Sequence, residues 1–202
     1  VCTHLDMNTV IAKEKGLEPL ALDILEQDDS FPAPIEEAEK YVDTEKGVET
    51  AEDALQGASD IIAEIISDSA EARKLLKELI DKTGIIRSVA KKEEDSVYSM
   101  YYDYSEAVKK IPSHRILAIN RGEKEECLRV DVKVDVEQFI EAVQSSYVKN
   151  QSESGQIVAN AASDAYTRLI APSVEREIRS DLTDNANEQA IKMFDVNLRP
   201  LL

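Results

Sequence analysis

The sequence predicts a mostly α fold: a multi-helix domain with a long C-terminal helix and a minor β element at about 128–135. Three observations carry this reading. Over most of the chain apolar residues recur at i, i+3, i+4 and i+7, the spacing of one helix face. Charged residues make up 32%, with no tryptophan, seven tyrosines and three phenylalanines, a mix that suits solvated helices better than an all-β core. Strict alternation occurs once, where Val130, Val132, Val134 and Val136 interleave with Asp131, Lys133 and Asp135.

Taken in order, Asn8 or Thr9 can cap a first helix that stops at Gly16. Leu17, Leu20, Ala21, Ile24 and Leu25 give an amphipathic second helix to Gln27, with Pro19 in its first turn. The stretch 28–34, with Asp28, Asp29, Ser30, Phe31, Pro32 and Pro34, reads as a turn-rich break before a short helix over about 35–42. Thr50 then caps a helix, with Asp53 placed to reach back as the acid of a capping box. Its stripe is Ala54, Leu55, Ala58, Ile61, Ile62, Ile65 and Ile66. After Asp68 and Ser69 a further helix presents Ala72, Leu75, Leu76, Leu79 and Ile80 until Gly84, and the two are expected to form an antiparallel pair. From 85 to 104 the period is ambiguous, and Ile85, Ile86, Val89, Tyr98, Tyr101 and Tyr102 fit strand or helix.

A short helix follows, opening behind Pro112 and closing on Gly122. The valine-rich strand comes next, with its valines inward, and runs into a helix over 136–148. The polar loop 149–155 leads to a helical run over 156–170. Pro172 sits at the first position of the final helix, where Val174, Ile178, Leu182, Ala186, Ala190, Phe194 and Leu198 recur every fourth residue. Such a repeat drifts by about 40° per step around a helix, so its stripe winds. The expected element is a strut roughly 40 Å long, packed all round by its predecessors; a surface helix with exposed alanines fits the same pattern. These elements divide into a helical bundle portion (1–110), a helix-strand-helix portion (111–155) and a long helical scaffold (156–202).

Among 202 residues, 24 Lys and Arg stand against 41 Asp and Glu, for a net charge of −17. A field of that sign repels phosphate backbones at long range, so any nucleic-acid contact must be local. Cys2 and Cys127 are far apart, without a CxxC, and read as reduced thiols, with a disulfide as the alternative. No apolar run approaches the roughly 20 residues that span a bilayer, and the first residues lack the pattern of a signal peptide. The valine start and the apolar end, Leu198-Arg199-Pro200-Leu201-Leu202, are read as the borders of a piece of a longer protein.

The six glycines form neither a dinucleotide-binding nor a P-loop pattern. His4 and His114 are too few for a histidine-rich metal site, and no CxxC, HExxH or ExxH occurs. Asp131, Asp135 and Glu137 lack the spacing of a calcium loop and fit a solvated strand face. No cofactor, metal or catalytic residue is expected. Arg168, Arg176 and Arg179, among Glu175, Glu177 and Asp181, read as helix-face ion pairs.

The candidate contact residues are Lys109, Lys110, His114, Arg115, Arg121 and Lys124, a basic island in an acidic chain. On one reading the cations complement the dipole at the helix C-terminus, and His114 is a helix-start hydrogen-bonding residue. On the other the island is a strip for phosphate or an acidic partner, diluted by Glu123, Glu125 and Glu126.

The island is written KKIPSHRxLAxxRGEKE, and it resembles a stretch of the Tex family of bacterial transcription accessory proteins. So do Ile11 to Ala21 (IAKEKGLEPLA), Glu45 to Val48 with Ala54 to Ala58 and Asp60 to Glu64, Asp103 to Glu106, and Asp164 to Tyr166 followed by Arg168, Leu169 and Pro172 to Glu177. These short words are collinear along most of the chain. The resemblance implies a cytoplasmic, non-enzymatic, multi-domain transcription factor that binds RNA or DNA, with RNA polymerase a possible partner and no membrane or small-molecule substrate. This chain would be its N-terminal helical region, before a catalytically dead YqgF-like domain, helix-hairpin-helix units and an OB-fold RNA-binding module. An acidic protein-protein interaction module without nucleic-acid binding is the alternative. The sequence departs from the family at Thr3 to Met7, where a basic run is usual, and at Cys127 and Pro200.

Overall fold

The computed structural model describes residues 6–28, 30, 32–92 and 96–198. Expectations that fall on Cys2, His4, Asp29, Phe31 and the closing Arg199 to Leu202 lie outside the described residues. The fold is mostly α with one small sheet. Its elements run α1 (Met7–Glu14), α2 (Glu18–Glu26), α3 (Pro34–Ala38), α4 (Ala51–Ser67), α5 (Ala70–Thr83), β1 (Ile85–Ala90), β2 (Asp103–Ala107), α6 (Ser113–Lys124), β3 (Leu128–Lys133), α7 (Val136–Tyr147), α8 (Glu153–Asp164) and α9 (Ala171–Leu198). A short 3-10 turn extends α3 as far as Tyr41, and a π-turn, Ala165–Ile170, joins α8 to α9. Two compact units result. One comprises the residues up to Lys74 with Val136–Pro172; the other comprises Leu75–Asp135 with the residues from Ser173 onward.

In the first unit α4 is the spine. Thr50 and Asp53 form the reciprocal capping box: the Asp53 N–H donates to Thr50 Oγ1 at 3.1 Å and the Thr50 N–H to Asp53 Oδ2 at 3.2 Å. Ala54, Ala58, Ile61, Ile62 and Ile66 are wholly buried against α1, α2, α3 and α8. Gly57 lets the α1–α2 elbow approach, since a Cβ there would lie 2.4 Å from Leu17 Cδ1. Two features of α1 differ from expectation. Asp6, not Asn8 or Thr9, occupies the N-cap position, and Thr9 is buried with its hydroxyl 3.3 Å from both Asp6 Oδ2 and the Asp60 carbonyl. A hydroxyl that satisfies itself locally can sit inside a helix as readily as before it. Gly16 does end α1, in the left-handed region at φ +79°.

Gln27, also left-handed, ends α2 and then spans to the α7–α8 loop. Its side-chain N–H donates to the Tyr147 carbonyl at 2.7 Å, and its Oε1 accepts the Lys149 N–H at 2.8 Å. α4 buries its stripe on α1, α2, α3 and α8, while α5 from Leu75 belongs to the second unit, so the expected α4–α5 pair divides between the two units.

The helical path continues from α8 into α9 through the π-turn. Pro172 has no N–H, and its ring crowds the carbonyl four residues back. The widened turn relieves that crowding, and the Ala171 N–H bonds to Tyr166 O, five residues back. Arg168 projects from this turn into three carboxylates. It reaches Asp164 Oδ2 at 2.7 Å and Asp60 Oδ1 at 3.2 Å, and it pairs with Asp6. It therefore forms a helix-face pair, with Asp164 four residues back, and beyond that expectation ties in the remote Asp6 and Asp60.

In the second unit the ambiguous stretch resolves into β1, a 3-10 turn at Ser99–Tyr101 and β2. With β3 they form an antiparallel sheet in the order β2-β1-β3. One face carries Ile86, Ser88, Leu128 and Val130 inward, and the buried Ser88 hydroxyl donates to the Tyr101 carbonyl at 2.8 Å. The valine alternation holds only to Val132. β3 ends at Lys133, and Val136, 37% exposed, opens α7.

Within that unit α9 is covered only as far as Ala186, its last buried residue; Val174 is also buried, and Ile178 and Leu182 are half-buried. Every residue from Ala190 to Asn197 is exposed, Phe194 among them, so the strut is not packed all round. Among the described residues no helix is long and apolar enough to cross a membrane.

Candidate functional site

The basic island is built on α6. Pro112, extended at φ −70° and ψ 147°, starts the helix without a side-chain cap. Ile116, Ile119 and Gly122 face inward. Gly122 does not end the helix. It is a close-approach residue, because a Cβ there would lie 2.6 Å from Leu128 Cδ1 and 3.1 Å from Tyr98 Cδ1. The turn out of α6 is made instead by Glu126, which is left-handed at φ 59°.

The structure separates the six candidates into groups. Lys109 and Lys110 are exposed in the turn before α6, and Lys109 Nζ lies 3.8 Å from Asp81 Oδ2. His114, Arg121 and Lys124 are exposed and fall within about 80° of one another around the helix, at 100° per residue. They form a single basic stripe. Arg115 points away from that stripe, by about 100° from His114. Its Nη1 donates to Tyr104 Oη and Glu106 Oε2, each at 3.0 Å, and its guanidinium lies 5.5 Å from the Tyr104 ring centre. The Tyr104 hydroxyl also donates to Glu106. That donation, with Arg115 beside it, holds the Glu106 carboxyl below the usual carboxylate range, while burial and Glu106 push the Tyr104 hydroxyl up. Arg115 is thus engaged by β2, although its side chain remains 41% exposed.

The acids that dilute the island are partly turned elsewhere. Glu123 accepts from Arg179 of α9, one of its contacts measuring 3.1 Å, and Glu126 lies 3.5 Å from Lys91 Nζ. Charge is divided unevenly along the chain. Residues 75–135 carry 12 Lys and Arg against 12 Asp and Glu, so the whole −17 falls on the rest. Among the described residues no group of three or more His, Cys, Asp or Glu side chains is placed to hold a metal ion.

Arg168 and Arg179 pair as expected of ionic residues, but their partners Asp6, Asp60 and Glu123 are remote in sequence. Only the i, i+4 spacing of Asp164 and Arg168 gave a local signal.

A family model described as Tex central region-like matches residues 29–194. The chain belongs to the Tex family. Relatives of this Tex-family chain include the Bacillus subtilis protein YdcI, 45% identical over 199 residues, which cover 95% of the chain and 27% of that protein. Protein tex of Bordetella pertussis is 30% identical over 209 residues, covering 95% of the chain and 26% of that protein. The human S1 RNA-binding domain-containing protein 1 is 28% identical over 208 residues, covering 95% of the chain and 20% of its own length. The chain therefore spans about a quarter of the length of its bacterial relatives.

Proposed function

We propose that this Tex-family chain is a non-enzymatic scaffold segment of a cytoplasmic transcription accessory protein, and that it adds a local nucleic-acid contact through His114, Arg121 and Lys124 of α6. Support for the class comes from the family itself and from relatives whose names refer to tex and to an S1 RNA-binding domain. The single observation that favours α6 is the division of charge: the sheet-and-α6 stretch is neutral, so phosphate is not repelled there as it is by the acidic remainder. The exposed Lys109 and Lys110 lie beside the helix start, whose free N–H groups favour anions. Placement before a YqgF-like domain and contact with RNA polymerase belong to the same proposal.

The test uses a Tex-type polypeptide that includes the S1 module. Its affinity for single-stranded RNA and duplex DNA is measured across a salt series, with Arg121→Glu and Lys124→Glu. Each substitution should weaken binding and lower the salt slope by about one. Arg115→Met should leave the slope unchanged. If all three variants bind like the parent, the α6 contact is refuted and the scaffold role remains.

The same division of charge favours a second reading, in which the acidic unit docks a basic protein surface and nucleic acid is not touched. Binding of a lysine-rich peptide by this chain, with no gel shift for RNA or DNA, would favour it.

A further inference from the structure

We propose that α9 between Glu175 and Gln189 is a releasable strap, held on the rest of its unit by a polar seam centred on Arg179 and Glu123. Five side-chain contacts make the seam. Glu175 Oε1 accepts the Val132 N–H at 3.1 Å and so covers the outer edge of β3. Glu177 pairs with Lys77 of α5. Arg179 donates through both terminal nitrogens to the two oxygens of Glu123 on α6. Asn120 Nδ2 donates to Thr183 Oγ1 at 2.8 Å, and Ser113 Oγ donates to Gln189 Oε1 at 2.6 Å. Residues 175, 179, 183 and 189 lie on one side of α9, and residues 113, 120 and 123 on one side of α6.

Between these contacts apolar burial is partial: Ile178 and Leu182 are half-buried, and within 175–189 only Ala186, which offers a single methyl group, is wholly buried. Surface contacts of the Lys77–Glu177 kind hold weakly in water and are screened by salt. The Arg179–Glu123 fork is the strong member, as a bidentate charge-assisted pair, with Arg179 22% and Glu123 36% exposed. The Arg179 Nε is buried without a partner, so the fork itself carries an unmet donor. A helix fixed by its own apolar stripe stays docked while the fold lasts. A helix fixed by one fork, two part-buried and two exposed polar contacts and a partly buried apolar side can leave while the sheet and α6 stay intact. Departure uncovers the β3 edge at Val132 and the side of α6 that bears Ser113, Asn120 and Glu123. This device does not depend on nucleic-acid contact by α6.

Hydrogen exchange on this chain at low and high salt, followed by mass spectrometry, tests it. In Glu123→Gln and Arg179→Met the amides of 175–189 should exchange roughly tenfold faster, the effect of losing one charge-assisted hydrogen bond, while the amides of β1 and α4 keep their rates. High salt should do the same to the parent. The charge swap Glu123→Arg with Arg179→Glu should restore protection at low salt. Unchanged exchange in 175–189, or acceleration only in step with β1 and α6, would overturn the proposal.

Discussion

Arg168 and Asp60 stand 108 positions apart in the sequence and 3.2 Å apart in the fold, Nη2 to Oδ1. The same guanidinium holds Asp164 and Asp6, so one cation faces three carboxylates. Burial pushes the Asp60 carboxyl above its ordinary value, outweighing the pull of Arg168.

Opposite effects follow for the two partners. Arg168→Met leaves the carboxylates facing one another and should lower stability by about 2–3 kcal/mol in urea unfolding. Asp60→Asn should cost little at neutral pH. With its pKa raised in the fold, Asp60 favours the native state when protonated, and that contribution is lost as pH rises from 3.8 through the folded value. The Asn variant should lack this descending limb; an unchanged limb would contradict the assignment.

Glu106 has the reverse sign. Its carboxyl is held below the usual range by the Tyr104 hydroxyl first and by Arg115 as well. Its contribution is present above pH 4.5 and is lost as pH falls through the lowered folded value. A series of urea midpoints in acid should fall less steeply for Glu106→Gln than for the parent.

Gly122→Ala tests whether this glycine serves packing. The added methyl meets Leu128 Cδ1 and Cγ, at 2.6 Å and 2.9 Å, and should cost about 1–3 kcal/mol through displacement of the α6–β3 contact. If the residue merely interrupted a helix, alanine would instead raise the melting temperature.

Legibility in the sequence followed the range of the interactions. The Thr50–Asp53 box and the α4 stripe are local signals and stand as read. The first part of the valine strand was equally plain. β1 was hidden because an inward position is Ser88, a polar residue that breaks the apolar alternation and is satisfied by the remote Tyr101 carbonyl. β2, with Asp103, Ser105 and Glu106, is an edge strand with no apolar face to betray it. The π-turn left no periodic trace, since its cause is the crowding at Pro172. At the candidate site the cations are plain in the sequence but their directions are not: Arg115 turns to Tyr104 and Glu106, while His114, Arg121 and Lys124 share a stripe. The partners of Arg168 and Arg179 come from distant segments that no window of sequence brings together.

The exposed apolar residues 191–196 of α9 have a consequence for how the chain behaves in solution. Ile191, Met193, Phe194 and Val196 are each at least 66% exposed, and at 100° per residue they ring the helix. Such a collar is adhesive toward its own kind. Repulsion between chains whose 202 residues bear −17 opposes that adhesion, and it reaches only about 8 Å in physiological salt. The colloidal behaviour of the chain is thus a contest between a sticky tip and a charged body, with ionic strength as referee.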